Sequence, residues 1–219
     1  MYFFGHVGIT LGAAVLGTGA IAAVRPEGSR ANAPALSSTK RKGVLSRPAS
    51  WVKTLDRFLD IRLLLIGSML PDIFDKPIGY FAFHNGRTLS HTLLFAVVTL
   101  ALGIYLYRRH RQTWLLALNI GTLVHLILDG MWLNPHVLFW PLLGVEFPRF
   151  AESNWFNYWL TQLFSDPADF IPEVIGGIIV LAFAAFLIRE KRMWAFVFRG
   201  KLDPDRTRRN PQKVGAAVK

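Results

Sequence analysis

The 219-residue chain contains no cysteine. A disulfide framework and a thiolate metal site are therefore excluded, and any bound metal ion must be held by imidazole and carboxylate groups. Acidic residues are also scarce, because 14 aspartates and glutamates stand against 25 lysines and arginines, for a net charge of +11. In a soluble protein such an excess suggests a nucleic-acid partner, so its meaning depends on where the charges lie.

Apolar residues, in contrast, are abundant and lie in long blocks. They make up 52% of the chain, with a mean hydropathy of +0.33, which is typical of a membrane protein. A helix that crosses the hydrocarbon core needs about 20 apolar residues. Five segments approach or exceed that length, and they predict an all-α, polytopic membrane helix bundle of about five spans. The segments are residues 2–24, 61–83, 89–107, 114–133 and 171–188.

The second of these segments predicts a broken helix. It begins as "IRLLLIGSML" and continues as "PDIFDKPIG", where two prolines and three charges interrupt the apolar run. Proline removes a backbone donor from a helix, so we expect a discontinuous helix whose irregular part is buried in protein or lines a wet cavity.

The basic residues predict the orientation of the bundle. Residues 25–62, 108–111 and 189–219 hold 22 of the 25 lysines and arginines. Five crossings place these segments on one side, and the positive-inside tendency then puts the N-terminus outside and the C-terminus in the cytoplasm. The expected localisation is a multi-pass protein of the cell (inner) membrane.

The same count predicts the domain organisation. Residues 1–188 form a single membrane-embedded helical domain, in which 25–60 is a basic cytoplasmic loop and 134–170 an external, aromatic-rich loop. Residues 189–219 are a basic cytoplasmic tail. We expect anionic lipid at the basic segments and no nucleic acid, because a solvated tail near the membrane surface explains the charge.

Several ionisable residues lie inside the predicted spans, where each is costly and is therefore a functional candidate. At about 1.5 Å per helical residue, five of them reach one layer in the outer half of the bilayer. His125 and Asp129, at i and i+4, share a helix face. Three imidazoles and two carboxylates are more ligands than one zinc ion with an open position uses. We therefore expect one or two divalent ions, with zinc as the first candidate by ligand type. The predicted metal ligands are His6, Asp72, His91, His125 and Asp129.

Taken singly, these residues have simpler explanations. A hydrogen bond within the helix satisfies His125 and Asp129, an interfacial histidine accounts for His6, and cavity water accounts for Asp72. The prediction of a metal centre therefore depends on all five residues meeting at one place.

Three further residues are secondary candidates. Arg87, in "HNGRTLSHT", is expected to hold an anionic oxygen of a substrate or transition state. Asp75 is a candidate further ligand or general base, although a salt bridge to Lys76 or a position at the membrane interface explains it as well. His84 is a candidate that would join the site from the outer loop.

The order of the motifs resembles the YdjM-like family of inner-membrane proteins, described as metal-dependent hydrolases. The matching stretches are "FFGHVG", "GSMLPDIFDKP", "HNGRTLSHTLLF", "GTLVHLILDGMWLNP" and "FWPLLG", across about residues 5–144. That family is remotely similar to the zinc-dependent phospholipase C and nuclease group, which uses an Asp, a His and a His-x-x-x-Asp in that order around clustered zinc ions. The resemblance implies Asp72, His91, His125 and Asp129 as ligands, with His6 as the N-terminal one.

The sequence thus favours a membrane-embedded, zinc-type hydrolase of phosphoester or ester bonds in a lipid-like substrate, with its site in the outer half of the bilayer. Two alternatives stay open. One is a non-catalytic membrane scaffold with a structural metal site. The other is a small transporter or metal carrier, suggested by the predicted break in the second helix and by the carboxylates near the middle of the membrane.

Overall fold

A computed structural model describes residues 2–24, 60–79, 86–147, 161 and 163–200. These residues form helices and turns and contain no strand, which confirms the all-α class. Short 3₁₀ turns lie at Leu89–His91 and Met131–Leu133. The helices are α1 (Phe3–Val24), α2 (Ile61–Ile78), α3 (Leu93–His110), α4 (Trp114–Leu128), α5 (Pro135–Leu138), α6 (Pro167–Arg189) and α7 (Met193–Arg199).

Two helices, α3 and α6, are long and apolar enough to cross a membrane. Two shorter apolar stretches are Phe3–Gly17, the part of α1 whose side chains are described, and α4 (Trp114–Leu128). At about 1.5 Å per residue, α4 spans roughly 22 Å, which is less than the hydrocarbon core of about 30 Å. The described residues thus contain two helices that qualify as spans, and the count of five stays a prediction.

The predicted break in the second segment is wrong for the described residues, because α2 is a continuous helix that contains Pro71 and Pro77. Pro71 cannot donate to the carbonyl of Gly67, four residues earlier. The hydroxyl of Thr122, on α4, lies 3.3 Å from that carbonyl and 3.2 Å from the carbonyl of Leu118 in its own helix, so its one proton is shared between the two. A neighbouring helix that satisfies the freed carbonyl allows a membrane helix to continue through proline. Residues 80–83 of the predicted segment lie outside the described part of the chain.

The fourth predicted segment, 114–133, is shorter as a helix than expected. It ends at Leu128, and Gly130 then adopts a left-handed conformation with φ of +60°. Such a glycine commonly terminates a helix, because it tolerates positive φ without a steric penalty. Asp129 therefore lies at the C-cap, although its backbone N–H still bonds to the carbonyl of His125 at 2.9 Å.

Helix pairs α1–α6 and α2–α4 cross at glycines. A Cβ atom on Gly8 would collide with the backbone of Gly176, and one on Gly121 would collide with the backbone of α2. Small residues at a crossing let two helix backbones approach closely, which is a common way to pack helices in membranes. These crossings set the positions of α1 and α4, the helices that carry His6 and His125.

The N-terminus of α1 is held by Glu173 of α6. Its carboxylate accepts hydrogen bonds from the backbone N–H groups of Tyr2, Phe4 and Gly5, at 2.8, 2.9 and 2.8 Å. The first N–H groups of a helix have no partner within it, and a negative charge is favourable at that end. Glu173 therefore fixes the start of α1, directly before His6.

The predicted tail comprises residues 189–219. Its first part, which includes α7, packs against the other helices. Met193 and Phe196 of α7 contact a core of Leu11, Ile61 and Leu187. The Arg62 guanidinium also donates to the carbonyl of Val197 at 2.7 Å. Residues 201–219 lie outside the described part of the chain.

We expect Gly176→Ala to destabilise the protein, because the added methyl group would collide with the Phe4 carbonyl. Overpacking of this kind costs about 1–3 kcal/mol. Gly177→Ala is the matched control, since nothing lies within 4 Å of its added Cβ and alanine favours helix by about 1 kcal/mol. Thermal melts followed by tryptophan fluorescence would measure both variants. Equal melting temperatures for the two would contradict the close crossing.

Candidate metal centre

The structure brings the five predicted ligands into one buried cluster. His6, His91 and His125 have no exposed surface, and the side chains of Asp72 and Asp129 are 7% and 4% exposed. They come from the start of α1, the second half of α2, the turn before α3 and the end of α4. His84 lies outside the described residues.

Hydrogen bonds fix the proton positions on two of the imidazoles. His125 Nδ1 lies 2.7 Å from the Ser68 carbonyl, which can only accept, so Nδ1 carries the proton. His91 Nδ1 lies 2.7 Å from Asp75 Oδ2. Each histidine therefore presents the lone pair of its Nε2 atom, the form in which imidazole binds a metal.

Asp75 lies behind His91, away from the other ligand atoms. Its carboxylate accepts the backbone N–H groups of Thr88, Ser90 and His91 at 2.7, 3.1 and 3.2 Å. A group that accepts this many N–H bonds acts as an ionised carboxylate, so it accepts from His91 Nδ1 as well. A carboxylate that orients a ligating histidine in this way is typical of zinc sites. The geometry thus gives Asp75 the position of an orienting residue.

The Nε2 atoms of His91 and His125 face each other at 3.2 Å. With both Nδ1 atoms protonated and both rings neutral, two lone pairs face each other, and either a proton on one Nε2 or a bound cation removes this repulsion. Two nitrogens bound to one tetrahedral zinc ion at about 2.0–2.1 Å lie about 3.3 Å apart, so the spacing fits. Asp72 Oδ1 lies 3.7 and 3.8 Å from the same two nitrogens and forms the third corner.

His6 lies against this group from α1. Its ring stacks on His125 with centroids 4.1 Å apart, and its Nε2 lies 3.1 Å from Asp129 Oδ1. The Nδ1 atom of His6 is buried and has no hydrogen-bond partner. An unpaired buried nitrogen costs free energy, so a ligand at this atom would be stabilising.

Asp129 joins the cluster to Arg87. It lies at the negative end of α4, where a carboxylate is unfavourable unless a cation offsets it. The Arg87 guanidinium supplies that charge, with Nε and Nη2 at 3.0 and 2.9 Å from Asp129 Oδ2.

Lys76 pairs with Asp72, so the alternative in which Asp75 is its salt-bridge partner is not what the structure has. Its Nζ lies 2.7 Å from Asp72 Oδ2, and the pair is Lys76–Asp72, in place of Lys76–Asp75. The i, i+4 spacing of Asp72 and Lys76 on one helix was the available signal.

Two groups of three ligand atoms lie within 4.8 Å of one another: His6 with Asp72 and His125, and His91 with His125 and Asp129. They share His125, so the arrangement suits a single ion or two neighbouring ions. Imidazole and carboxylate ligands of this kind can hold a divalent metal.

The sequence profile of the YdjM inner membrane protein family matches residues 1–199, which include every residue of this cluster. No curated protein and no solved structure matches the chain.

We expect Asp75→Asn to weaken zinc binding by about 10–100-fold, the usual effect of removing the partner of a ligating histidine. The amide oxygen would take the place of Oδ2, because three backbone N–H groups point at that atom, and would still accept from His91 Nδ1. The loss of the negative charge would lower the basicity of Nε2. Zinc competition with a chromogenic chelator in detergent would measure the affinity. The control is Glu190→Gln, at the far end of α6. Unchanged zinc affinity in Asp75→Asn would contradict this role.

Proposed function

The chain belongs to the YdjM inner membrane protein family, and from this premise we propose that it is a membrane-embedded, metal-dependent hydrolase. Its proposed substrates are phosphoesters or esters in a lipid-like molecule. The supporting observation is the facing pair of imidazole nitrogens, His91 Nε2 and His125 Nε2, at 3.2 Å inside a cluster of buried carboxylates.

The proposed cofactor is zinc, as one or two ions. Imidazole and carboxylate ligands suit it, and three protein ligands with one open position are the pattern of catalytic zinc sites. When bound, the ion would supply a Lewis acid and a water that is nucleophilic near neutral pH.

The surrounding residues have separate roles in this proposal. Asp75 holds the proton on His91 Nδ1 and so keeps Nε2 free for the ion. Asp129 holds Arg87, whose side chain is 36% exposed and therefore accessible to a substrate. The guanidinium is suited to stabilise negative charge that develops on the scissile group.

The proposed topology has five spans with the N-terminus outside. The cluster lies at the starts of α1 and α3 and the ends of α2 and α4, and Glu173 places the start of α6 beside α1. Helix direction thus alternates along the chain, as five crossings require. The arginines that end α3 and α6 lie at the opposite end, where the positive-inside tendency puts the cytoplasm and its anionic lipid. A reporter at the C-terminus that proved external would overturn this topology.

A substrate within the membrane has lateral access in this arrangement. Phe3, Phe4, Ile73 and Phe74 flank the cluster in sequence and are each about half exposed. Apolar side chains exposed at a membrane depth contact lipid tails, so a lipid-like substrate would approach the site sideways from the outer half of the bilayer.

The transporter alternative loses one of its two supports, because α2 continues through Pro71, and keeps only the buried carboxylates. The scaffold alternative makes a different prediction from the hydrolase, and the turnover experiment below tests the two against each other.

We expect the zinc-loaded protein in nanodiscs to hydrolyse a lipid ester, to stop when zinc is chelated, and to recover when zinc is restored. His125→Ala should lower turnover by about 100-fold or more, because it removes a ligand common to both groups of ligand atoms. Mass spectrometry of mixed phospholipids and acylglycerols would identify the products. His136→Ala, an exposed histidine on α5, is the control.

Full activity in His125→Ala would contradict the proposal. Zinc binding without turnover of any lipid ester, together with unfolding of the ligand variants, would instead support a scaffold with a structural metal.

A further inference from the structure

The two carboxylates that face the cluster share one arrangement. Asp72 directs Oδ1 toward the imidazoles of His91 and His125, and its Oδ2 accepts from Lys76 at 2.7 Å. Asp129 directs Oδ1 toward His6, and its Oδ2 accepts from Arg87 at 2.9 Å. Each carboxylate thus joins buried imidazole on one side to a partly exposed cation on the other.

The two cations lie on the same rim of the cluster. Gly86 directly precedes Arg87, and a Cβ atom on Gly86 would contact Lys76 Cγ at 3.9 Å. The side chains of Lys76 and Arg87 are 45% and 36% exposed, so both can meet a molecule that enters.

These two cations are separate from the charges that set the topology. The other lysines and arginines of the described residues lie at the opposite ends of the helices. They are Arg62, Arg108, Arg109, Arg111, Arg189, Lys191, Arg192 and Arg199. An interfacial position for topology therefore does not explain Lys76 and Arg87.

The charge of the cluster favours an anion once a metal is bound. Asp72, Asp75 and Asp129 carry three negative charges, and Lys76 and Arg87 carry two positive ones. One divalent ion makes the sum positive. A carboxylic ester is neutral and offers nothing to a second cation, whereas a phosphate group has several charged oxygens that suit an arginine fork and a lysine point charge.

We propose that Lys76 and Arg87 together bind a phosphate group, and that the substrate of this site is a phosphoester and not a carboxylic ester. This inference rests on the proposed function and selects among its substrates. Lys76 is the new specificity-determining residue. Its side chain has a flexible stem, so the ammonium can remain near Asp72 while it contacts phosphate.

A structural role for Lys76 gives a different expectation. If the ammonium only neutralises Asp72, its removal would free Asp72 Oδ2 and tighten zinc binding, while phosphate binding would not change.

The test compares Lys76→Gln, Lys76→Arg and the control Lys191→Gln, which removes an exposed charge beyond the end of α6. Calorimetry would measure binding of inorganic phosphate and of a short-chain phosphatidate to the zinc-loaded proteins in detergent. We expect Lys76→Gln to weaken binding about tenfold or more, because a hydrogen bond to a charged group is lost. Lys76→Arg should retain most of the affinity, and Lys191→Gln should match the wild type.

The two ligands distinguish a free phosphate from a lipid headgroup as the source of the group that is bound. A loss with both ligands supports recognition of the phosphate alone, and a loss with phosphatidate only supports recognition of a headgroup. Unchanged binding of both ligands to Lys76→Gln would overturn the inference.

Failure of the proposed function is a separate result. A wild-type protein that binds no zinc would overturn the hydrolase proposal and this inference with it. A zinc-loaded protein that cleaves carboxylic esters and leaves phosphoesters intact would overturn only this inference.

Discussion

The contact between His91 Nε2 and His125 Nε2 is the interaction on which the site depends. Both nitrogens present lone pairs, because the Ser68 carbonyl and the Asp75 carboxylate take the protons of the two Nδ1 atoms. A separation of 3.2 Å between two acceptors is repulsive without a cation. A shared proton would also remove the repulsion, with the carboxylates of Asp75 and Asp72 balancing the imidazolium charge. A divalent ion would in addition use Asp72 Oδ1, at 3.7 and 3.8 Å from the two nitrogens, as a third ligand.

The fold imposes this contact through backbone features more than through the ligands themselves. Glycine crossings bring α4 against α2, so that His125 reaches the carbonyl of Ser68. The Thr122 hydroxyl, whose proton is shared with the Leu118 carbonyl, lies within hydrogen-bond distance of the carbonyl freed by Pro71, and the helix continues to Asp72 and Asp75 on consecutive turns. These contacts are short and specific, so small changes in helix position would separate the nitrogens.

Much of this arrangement follows from the sequence, because ionisable groups are costly inside apolar segments and must find partners. The predicted topology and the helical rise together placed His6, His91 and His125 in one layer, and the structure has them together. The sequence did not reveal the continuity of α2, since the hydroxyl that compensates Pro71 comes from Thr122, 51 positions away. The sequence ranked Asp72 above Asp75 as a ligand, but it did not reveal that Asp75 accepts from His91 Nδ1, because that contact depends on the turn that carries Thr88 and Ser90.

X-ray absorption of the zinc-loaded wild-type protein tests the central claim most directly, because it reports the atoms around the ion. The account predicts at least two imidazole nitrogens and a carboxylate oxygen at about 2.0–2.2 Å, with the multiple scattering that imidazole rings produce. A shell of oxygen atoms alone, without that imidazole signature, would contradict it.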